Sequence, residues 1–294
     1  MSCCRSSFIS ITMVIAWVQI NPLQAVLWTF RRNEHDIINL YTSLSPVMQL
    51  ATSGDMLNFG YWNGGASGPL AAQNDLCSLV DDIAELGSAR RLLDVGSGLS
   101  APAAQWKSIH GSLEICCLNI NLQQLQSAKQ AEVQLLNATS TLLPFSDGSV
   151  DRIVALESAQ HFRPLEKFIK EARRVLEPGG LLVITLPVVT QRRPFFKLGI
   201  LAWTWPSEHY ELEYVKSAVS RNGFEIRESR HIGRQVYEPL TSYYALHRNA
   251  LRERILKEYP SFLEKVLYSS LLKMKEVSRK GIIDYIIIKA CIQR

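Results

Sequence analysis

Short apolar runs alternate with amphipathic stretches from residue 33 onwards, and this alternation is typical of consecutive βαβ units. Residues 91–96, 113–120 and 150–156 are among the runs that read as buried strands. Residues 178–180 (Pro-Gly-Gly) predict a turn into a further strand. Strands joined through helices predict a mostly parallel sheet with right-handed crossovers and helices on both faces. The expected fold class is therefore α/β.

Composition and charge narrow the functional classes. Hydrophobic residues make up 47% of the 294 residues and charged residues 20%, which indicates a globular rather than a disordered chain. The net charge of +5 is mild and the basic residues are scattered, whereas a nucleic-acid groove needs a concentrated basic stripe. No pair of the six cysteines has metal-ligand spacing. We therefore expect reduced thiols in the cytoplasm, no metal site and no nucleic-acid partner.

Residues 1–32 form an apolar N-terminal extension that precedes the βαβ pattern. The apolar run at 8–20 is too short to span a bilayer, and Asn21-Pro22 interrupts it. Three interpretations are open: a signal-peptide-like segment, an interfacial anchor, or an extension without a role in the fold. Export is the least favoured of the three, and peripheral membrane contact through residues 8–30 is an expectation.

Residues 94–98 (DVGSG) follow the first buried strand and open a helix. Gly96 and Gly98 let the backbone turn tightly and approach a ligand, and Asp94 suits a ligand with a cationic amino group. Open α/β sheets bind ligands in the crevice at the carboxyl ends of their strands. The glycines with Ala101 also match a relaxed dinucleotide fingerprint, so a nicotinamide-dependent oxidoreductase is an alternative. The preceding acid and the long stretch before the motif disfavour it, because that fingerprint usually opens its domain.

Four segments carry a resemblance to a known family. They are LLDVGSG (92–98), LNINLQQL (118–125), LLPFSDGSVDRIVALES (142–158) and EARRVLEPGGLLVI (171–184). Together they resemble class I S-adenosylmethionine-dependent methyltransferases over residues 36–232. FGYW (59–62) and ESAQHF (157–162) are similar to the branch that methylates sugars, polyketides, sterols, tocopherols and other small molecules. The resemblance implies a seven-stranded, Rossmann-like sheet and S-adenosyl-L-methionine as the cofactor.

We expect one methyltransferase domain, residues 33–294, after the N-terminal extension, although residues 234–280 lie outside the resemblance. Its expected parts in chain order are a helical cap (33–90), a cofactor-binding core (91–233), a helical lid (234–281) and a final strand (282–294).

The resemblance also assigns cofactor-binding residues, position by position. Asp94, Gly96 and Gly98 would hold the methionine part of the cofactor. Asn119 stands where the family usually has an acid for the ribose hydroxyls, and an amide lacks the charge of a carboxylate. Asn137 stands where the adenine-binding loop commonly has aspartate. The full set is Tyr41, Tyr61, Asp94, Gly96, Gly98, Asn119, Gln124, Asn137, Ala138 and Glu157, in which the tyrosines belong to the cap and have ordinary packing as their alternative role.

His161 is the expected catalytic residue. It lies four residues after Glu157, where some O-methyltransferases place a general base, and imidazole suits the removal of a hydroxyl proton. A structural hydrogen-bonding role is the alternative, because residues 185–187 (Thr-Leu-Pro) replace the acid that accompanies such a histidine in some relatives. Glu157 is expected beneath the cofactor, and a solvated or capping carboxylate is its alternative role.

The predicted function is methyl transfer to a small lipophilic acceptor, with O-methylation favoured over C- or N-methylation. Aromatic residues after the fifth strand and in the lid favour an apolar acceptor, with packing in the core as the alternative explanation. They are Phe195, Phe196, Trp203 and Trp205 after the strand, and Tyr237, Tyr243 and Tyr244 in the lid. A catalytically inactive, methyltransferase-like binding protein is also an alternative, because Asn119 and Asn137 depart from the family pattern.

Overall fold

The sheet is the centre of the molecule. The computed structural model describes residues 33–128, 132–191, 195–205 and 207–292, excluding the side chains at 195 and 196, so the N-terminal extension lies outside the described residues. The strands are β1 (Arg91–Val95), β2 (Glu114–Asn119), β3 (Gln134–Asn137), β4 (Val150–Leu156), β5 (Leu176–Val189), β6 (Phe224–His231) and β7 (Ile283–Ile292). They form a seven-stranded sheet in the order β3-β2-β1-β4-β5-β7-β6.

Strand directions confirm the predicted sheet. Neighbouring strands from β3 to β5 pair in parallel, whereas β7 is antiparallel to both β5 and β6. The strand order reverses between β1 and β4, and open α/β sheets bind ligands at such a switch point. The carboxyl ends of β1, β2 and β4 therefore define the edge of the sheet at which a site is expected.

The helices alternate with the strands. They are α1 (Glu34–Thr52), α2 (Pro69–Ala84), α3 (Ala101–Ile109), α4 (Leu122–Ser127), α5 (Leu165–Val175), α6 (Phe195–Leu198), α7 (Leu201–Thr204), α8 (Leu212–Arg221), α9 (Gly233–Leu246), α10 (Arg248–Glu258) and α11 (Ser261–Arg279). In α5, the buried residues recur at positions 165, 168, 169, 172 and 175, which is the spacing of one helix face. Among the described residues, no helix is both long and apolar enough to span a membrane.

The turn predicted at residues 178–180 is wrong, because β5 already begins at Leu176 and continues through these residues. The pairing with β4 shifts there, from Val150 opposite Leu176 to Arg152 opposite Leu181. Gly179 adopts a φ of +82°, in the left-handed region that favours glycine. The Pro-Gly-Gly segment is therefore an irregularity within a strand, and its turn-forming residues serve a bulge.

Side chains of the central strands alternate between two apolar clusters, one on each face of the sheet. Leu92 of β1 lies in the cluster that contains Trp106 of α3 and residues of α2 and α11. Leu93, the next residue, lies in the cluster that contains Phe168 of α5 and residues of α8. Helices thus cover both faces of the sheet, as predicted.

The cap helix α1 and the lid, formed by α9, α10 and α11, are joined by a third apolar cluster. Val47 in the second half of α1 is buried there with Tyr244 of α9 and Leu251 of α10. Within the lid, Arg248 donates hydrogen bonds of 2.8 and 3.2 Å to the two carboxylate oxygens of the fully buried Glu264. The lid therefore has its own ionic anchor and holds one end of the cap helix.

Candidate active site

A cavity lies at the carboxyl ends of β1, β2 and β4 and is covered by the first half of α1. Most of the residues assigned from the sequence line it. They are Tyr41, Gly96, Gly98, Asn119, Gln124, Ala138, Glu157 and His161. Asp94, Tyr61 and Asn137 are outside this lining.

The loop after β1 needs glycine for reasons of space. Gly96 has a φ of +77°, and its N–H donates to the carbonyl of Leu118 at 2.7 Å. A Cβ at this position would lie 2.4 Å from the Cβ of Ser158 in the loop after β4. The Ser158 hydroxyl in turn donates to the Val95 carbonyl at 2.6 Å. The two loops therefore pack too closely for a side chain at position 96, and together they form the floor of the cavity.

Asp94 belongs to β1, directly before the glycine loop, and does not line the cavity. Its side chain is buried, and burial raises the pKa of its carboxyl from 3.8 to about 7. One carboxylate oxygen, Oδ2, has no hydrogen-bond partner among the described residues. A buried acceptor without a donor is costly, and a cationic amino group would relieve that cost. This acceptor fits the amino group of S-adenosylmethionine.

Asn119 and Gln124 form a hydrogen-bonded pair at the end of β2. The Asn119 amide nitrogen donates to the Gly98 carbonyl at 3.1 Å and to Gln124 Oε1 at 2.8 Å. The Gln124 amide nitrogen donates to Ser45 Oγ of the cap helix at 2.8 Å. Asn119 Oδ1 is the remaining polar atom of its side chain, and it can accept a hydrogen bond from a hydroxyl, as the ribose role requires.

Asn137 and Tyr61 do not line the cavity. Asn137 is exposed, and its amide nitrogen donates to the backbone carbonyls of Asn119 and Ile120, both at 2.9 Å. The Asn137 side chain thus ties β3 to the end of β2, and Ala138 is the member of this loop that reaches the cavity. Tyr61 packs against the apolar cluster that contains α2 and α3.

Glu157 follows the end of β4 with a positive φ of 48° and is partly buried. Its Oε1 accepts hydrogen bonds from the Phe59 N–H at 2.8 Å and the Tyr285 hydroxyl at 2.9 Å. Burial of the carboxyl raises its pKa from 4.5 to about 8, although both hydrogen bonds favour the charged form. Glu157 is therefore a second acid with a raised pKa, and it lies at the cavity wall.

His161 and Tyr41 meet across the cavity. The Tyr41 hydroxyl lies 2.8 Å from His161 Nε2, and the two rings are nearly perpendicular with centroids 5.2 Å apart. Burial, with a smaller effect of Glu157, raises the pKa of the Tyr41 phenol well above its usual value. A phenol that stays protonated can donate to Nε2 and fix the orientation of the imidazole.

The lining contains residues that the motifs did not indicate. Ile37 and Ile38 of α1, Leu57 of the following loop and Phe162 after β4 give the cavity apolar walls. The cavity also has carboxyl groups besides Glu157, whereas no lysine or arginine lines it within the described part of the chain. The helical periodicity of α1 could have indicated which of its faces turns inward, but nothing local marks Leu57.

The aromatic residues expected to favour an apolar acceptor lie elsewhere. Trp205 is buried and packs on Tyr237, with ring centroids 6.4 Å apart, inside the cluster on one face of the sheet. Trp203 is 47% exposed. Neither tryptophan lines the cavity, and the side chains at 195 and 196 are outside the described residues. Packing in the core is therefore the better explanation of Trp205.

Comparison with known proteins identifies the domain. Residues 93–184, which contain the glycine loop, Asn119, Glu157 and His161, match the family described as methyltransferase domain. This segment therefore resembles the class I methyltransferases. The cofactor of that class is S-adenosyl-L-methionine, and the match argues against the nicotinamide-dependent alternative, since the glycine loop itself belongs to the matched segment.

The curated relatives match only part of the chain in sequence. Erythromycin 3''-O-methyltransferase of Saccharopolyspora erythraea is 30% identical over 54% of this chain and 54% of its own length. A sterol 24-C-methyltransferase of Gibberella zeae is 29% identical over 46% of this chain and 40% of its own length. The chain thus spans about half the length of the curated relatives it matches, and both oxygen and carbon acceptors occur among them.

Solved structures share the fold. Geranyl diphosphate C-methyltransferase from Streptomyces coelicolor, solved with Mg2+, geranyl diphosphate and S-adenosyl-L-homocysteine, gives a TM-score of 0.67 at 15% identity, over 88% of this chain and 97% of its own. The [4+2]-cyclase SpnF gives a TM-score of 0.72 at 20% identity, over 89% and 96% of the two chains. Because one of these proteins is named a cyclase, the shared fold does not by itself define the reaction.

Proposed function

We propose that this protein transfers the methyl group of S-adenosylmethionine to a small, uncharged and lipophilic acceptor, with a hydroxyl oxygen as the favoured acceptor atom. The observation that carries this proposal is the pairing of His161 with Tyr41 at a cavity whose floor is the methyltransferase glycine loop. A base candidate is thereby held next to the place where the matched domain would bind its cofactor.

The residues around the cavity fit the cofactor in charge and in shape. Asp94 and Glu157 are carboxyls withdrawn from water, and S-adenosylmethionine carries both an ammonium and a sulfonium group. Asn119 and Gln124 would face its ribose, and Ala138 its adenine. When bound, the cofactor supplies a methyl group already activated on sulfur.

The lining of the cavity supports an uncharged acceptor. Its apolar side chains, including Ile38 and Phe162, leave no cationic group among the described residues to pair with a phosphate or carboxylate. Carboxyl groups there would repel an anionic acceptor. This charge pattern, rather than the tryptophans after β5, is the basis for proposing a lipophilic, uncharged acceptor.

His161 would act as the base. A hydroxyl that gains a methyl group must lose its proton, and an imidazole with Nε2 at the cavity can accept it. Because the Tyr41 hydroxyl donates to Nε2 at 2.8 Å, it would give its own proton to the imidazole as it takes the proton of the acceptor, so that Tyr41 relays the proton to His161. The cap helix α1 would exclude water from the cavity.

Calorimetric titration of the full chain with S-adenosylmethionine, S-adenosylhomocysteine and NAD tests the cofactor. We expect micromolar binding of both sulfur compounds and none of NAD, followed by methyl transfer to neutral hydroxylated lipophilic acceptors but not to their phosphate esters. Binding without transfer to any oxygen, carbon or nitrogen acceptor would favour the inactive binding protein, and absence of binding would reject the proposal.

The role of His161 is tested by replacing it with alanine. We expect the turnover number for a hydroxyl acceptor to fall at least a hundredfold, with S-adenosylhomocysteine affinity changed only slightly. His35→Ala is the matched control, because His35 is exposed on α1. Full turnover of His161→Ala would assign the histidine a structural role.

A further inference from the structure

We propose that Gln124 is a positioning residue that couples the ribose position at Asn119 to closure of the cap helix α1. The inference rests on the proposed function, because it takes the cofactor's ribose to bind at Asn119. It goes further by assigning a connection between the cofactor site and the helix that carries Tyr41.

The connection begins with the fixed orientation of Asn119. Both hydrogens of its amide nitrogen have acceptors, the Gly98 carbonyl at 3.1 Å and Gln124 Oε1 at 2.8 Å. Asn119 Oδ1 therefore points away from these partners and is left to accept from a ligand hydroxyl. Any ligand that holds Oδ1 in this orientation also holds the amide nitrogen against Gln124.

Gln124 passes this orientation to the cap helix. Because its Oε1 accepts from Asn119, its Nε2 is turned toward α1, where it donates to Ser45 Oγ at 2.8 Å. Ser45 Oγ, having accepted this bond, donates to the Tyr41 carbonyl at 2.6 Å. The bonds all run in one direction, and they end on the residue whose hydroxyl contacts His161.

The cap helix needs support at this turn. Pro46 lies inside α1 and has no N–H, so the carbonyl of Thr42 loses its usual helical donor. Asn121, the N-cap residue of α4, donates to the Ile38 carbonyl at 3.3 Å and to Thr42 Oγ1 at 3.2 Å. Asn121 and Gln124 therefore support the turn of α1 that the proline weakens, through hydrogen bonds from outside the helix.

A carboxylate at position 119 would reverse the direction of the bonds. In Asn119→Asp the side chain has no donor for Gln124 Oε1, so the Gln124 amide would turn its nitrogen toward the acid and its oxygen toward Ser45. Ser45 could then donate to Gln124 only by giving up the Tyr41 carbonyl. The amide at 119, which departs from the usual acid, is thus matched to Gln124 and Ser45.

The test measures hydrogen exchange of amides 38–45 in the full chain, with and without saturating S-adenosylhomocysteine. In the wild type, we expect the ligand to slow exchange in this segment. In Gln124→Leu and in Ser45→Ala, the slowing should shrink about fivefold, the effect of one lost hydrogen bond. Gln123→Leu, an exposed neighbour of the same residue type, should retain the wild-type slowing.

A double-variant comparison separates positioning from simple structural support. In a Gln124→Leu background, where Ser45 has already lost its link to Asn119, Ser45→Ala should add no further loss of ligand-induced slowing. Additive losses in the double variant, or wild-type slowing in Ser45→Ala and Gln124→Leu with ligand bound, would overturn the coupling while leaving the proposed function intact. Failure of the wild type to bind S-adenosylhomocysteine in the calorimeter would overturn both.

Discussion

Raising the pH from 6 to 8 should strengthen S-adenosylhomocysteine binding about tenfold through one group, the Asp94 carboxyl. Burial raises its pKa from 3.8 to about 7, so in the free protein roughly one molecule in eleven carries the charge at pH 6 and ten in eleven at pH 8. Only the charged form pairs with the ammonium group of the ligand, and affinity should follow its population.

The assay is calorimetric titration of the full chain at pH 6, 7 and 8. 5′-Methylthioadenosine provides a ligand control, because it keeps the adenosine and the sulfur but has no ammonium group. Asp94→Asn provides the protein control, because the amide has nearly the same shape and does not titrate in this range. We expect the pH dependence with S-adenosylhomocysteine and the wild type, and a flat profile when either the ammonium group or the carboxylate is missing.

Two results would refute this reasoning. An affinity of the wild type for S-adenosylhomocysteine that is unchanged between pH 6 and 8 would mean that Asp94 is not the partner of the ammonium group. A slope that persists in Asp94→Asn would assign the pH dependence to a different group.

Three further predictions concern stability, each measured by urea unfolding. Because burial raises the pKa of Glu157 from 4.5 to about 8, its contribution to stability is complete at low pH and is lost as the pH rises through 8. Glu157→Gln should therefore remove about 2.7 kcal/mol of the wild-type loss between pH 6 and 9, because the loss runs over two pH units. An equal loss in both proteins would contradict this. Arg248→Ala should cost about 3 kcal/mol, because it leaves the fully buried Glu264 without its closest cation; a cost below about 1 kcal/mol would show that the site rehydrates. Gly96→Ala should cost at least about 3 kcal/mol, whereas Gly148→Ala, with a φ of +58° and open space around it, should cost about 1 kcal/mol; equal costs would mean that the contact across the floor of the cavity relaxes.

The parts of the fold that follow from local pattern could be predicted from the sequence. The strand at 150–156 and the glycine loop at 94–98 depend on periodicity and on a backbone conformation that few residues adopt, and both are visible in a short window. The Pro-Gly-Gly segment at 178–180 shows the limit of such windows. Its residues favour a turn, but β5 continues through them, because the strand is paired with β4 at Leu176 before the segment and at Leu181 after it.

The candidate site was only partly predictable, because its decisive contacts are distant in sequence. Tyr285 donates to Glu157 from 128 positions away, and no local signal marks this tyrosine as a partner of the carboxyl. The motif position of Asn137 indicated adenine binding, whereas the structure turns its amide toward two backbone carbonyls. A motif gives the backbone position of a residue, and the surrounding packing decides where its side chain points.

The cap helix belongs to two parts of the molecule at once. Ile38 and Tyr41 in its first half line the cavity, and Val47 in its second half is buried against the lid. A cofactor and an acceptor bound in the cavity would therefore both contact a helix whose other end packs against the lid. Thermodynamic reciprocity then requires each ligand to change the affinity of the other by the same factor. Cofactor and acceptor would then bind cooperatively through the helix that covers them both.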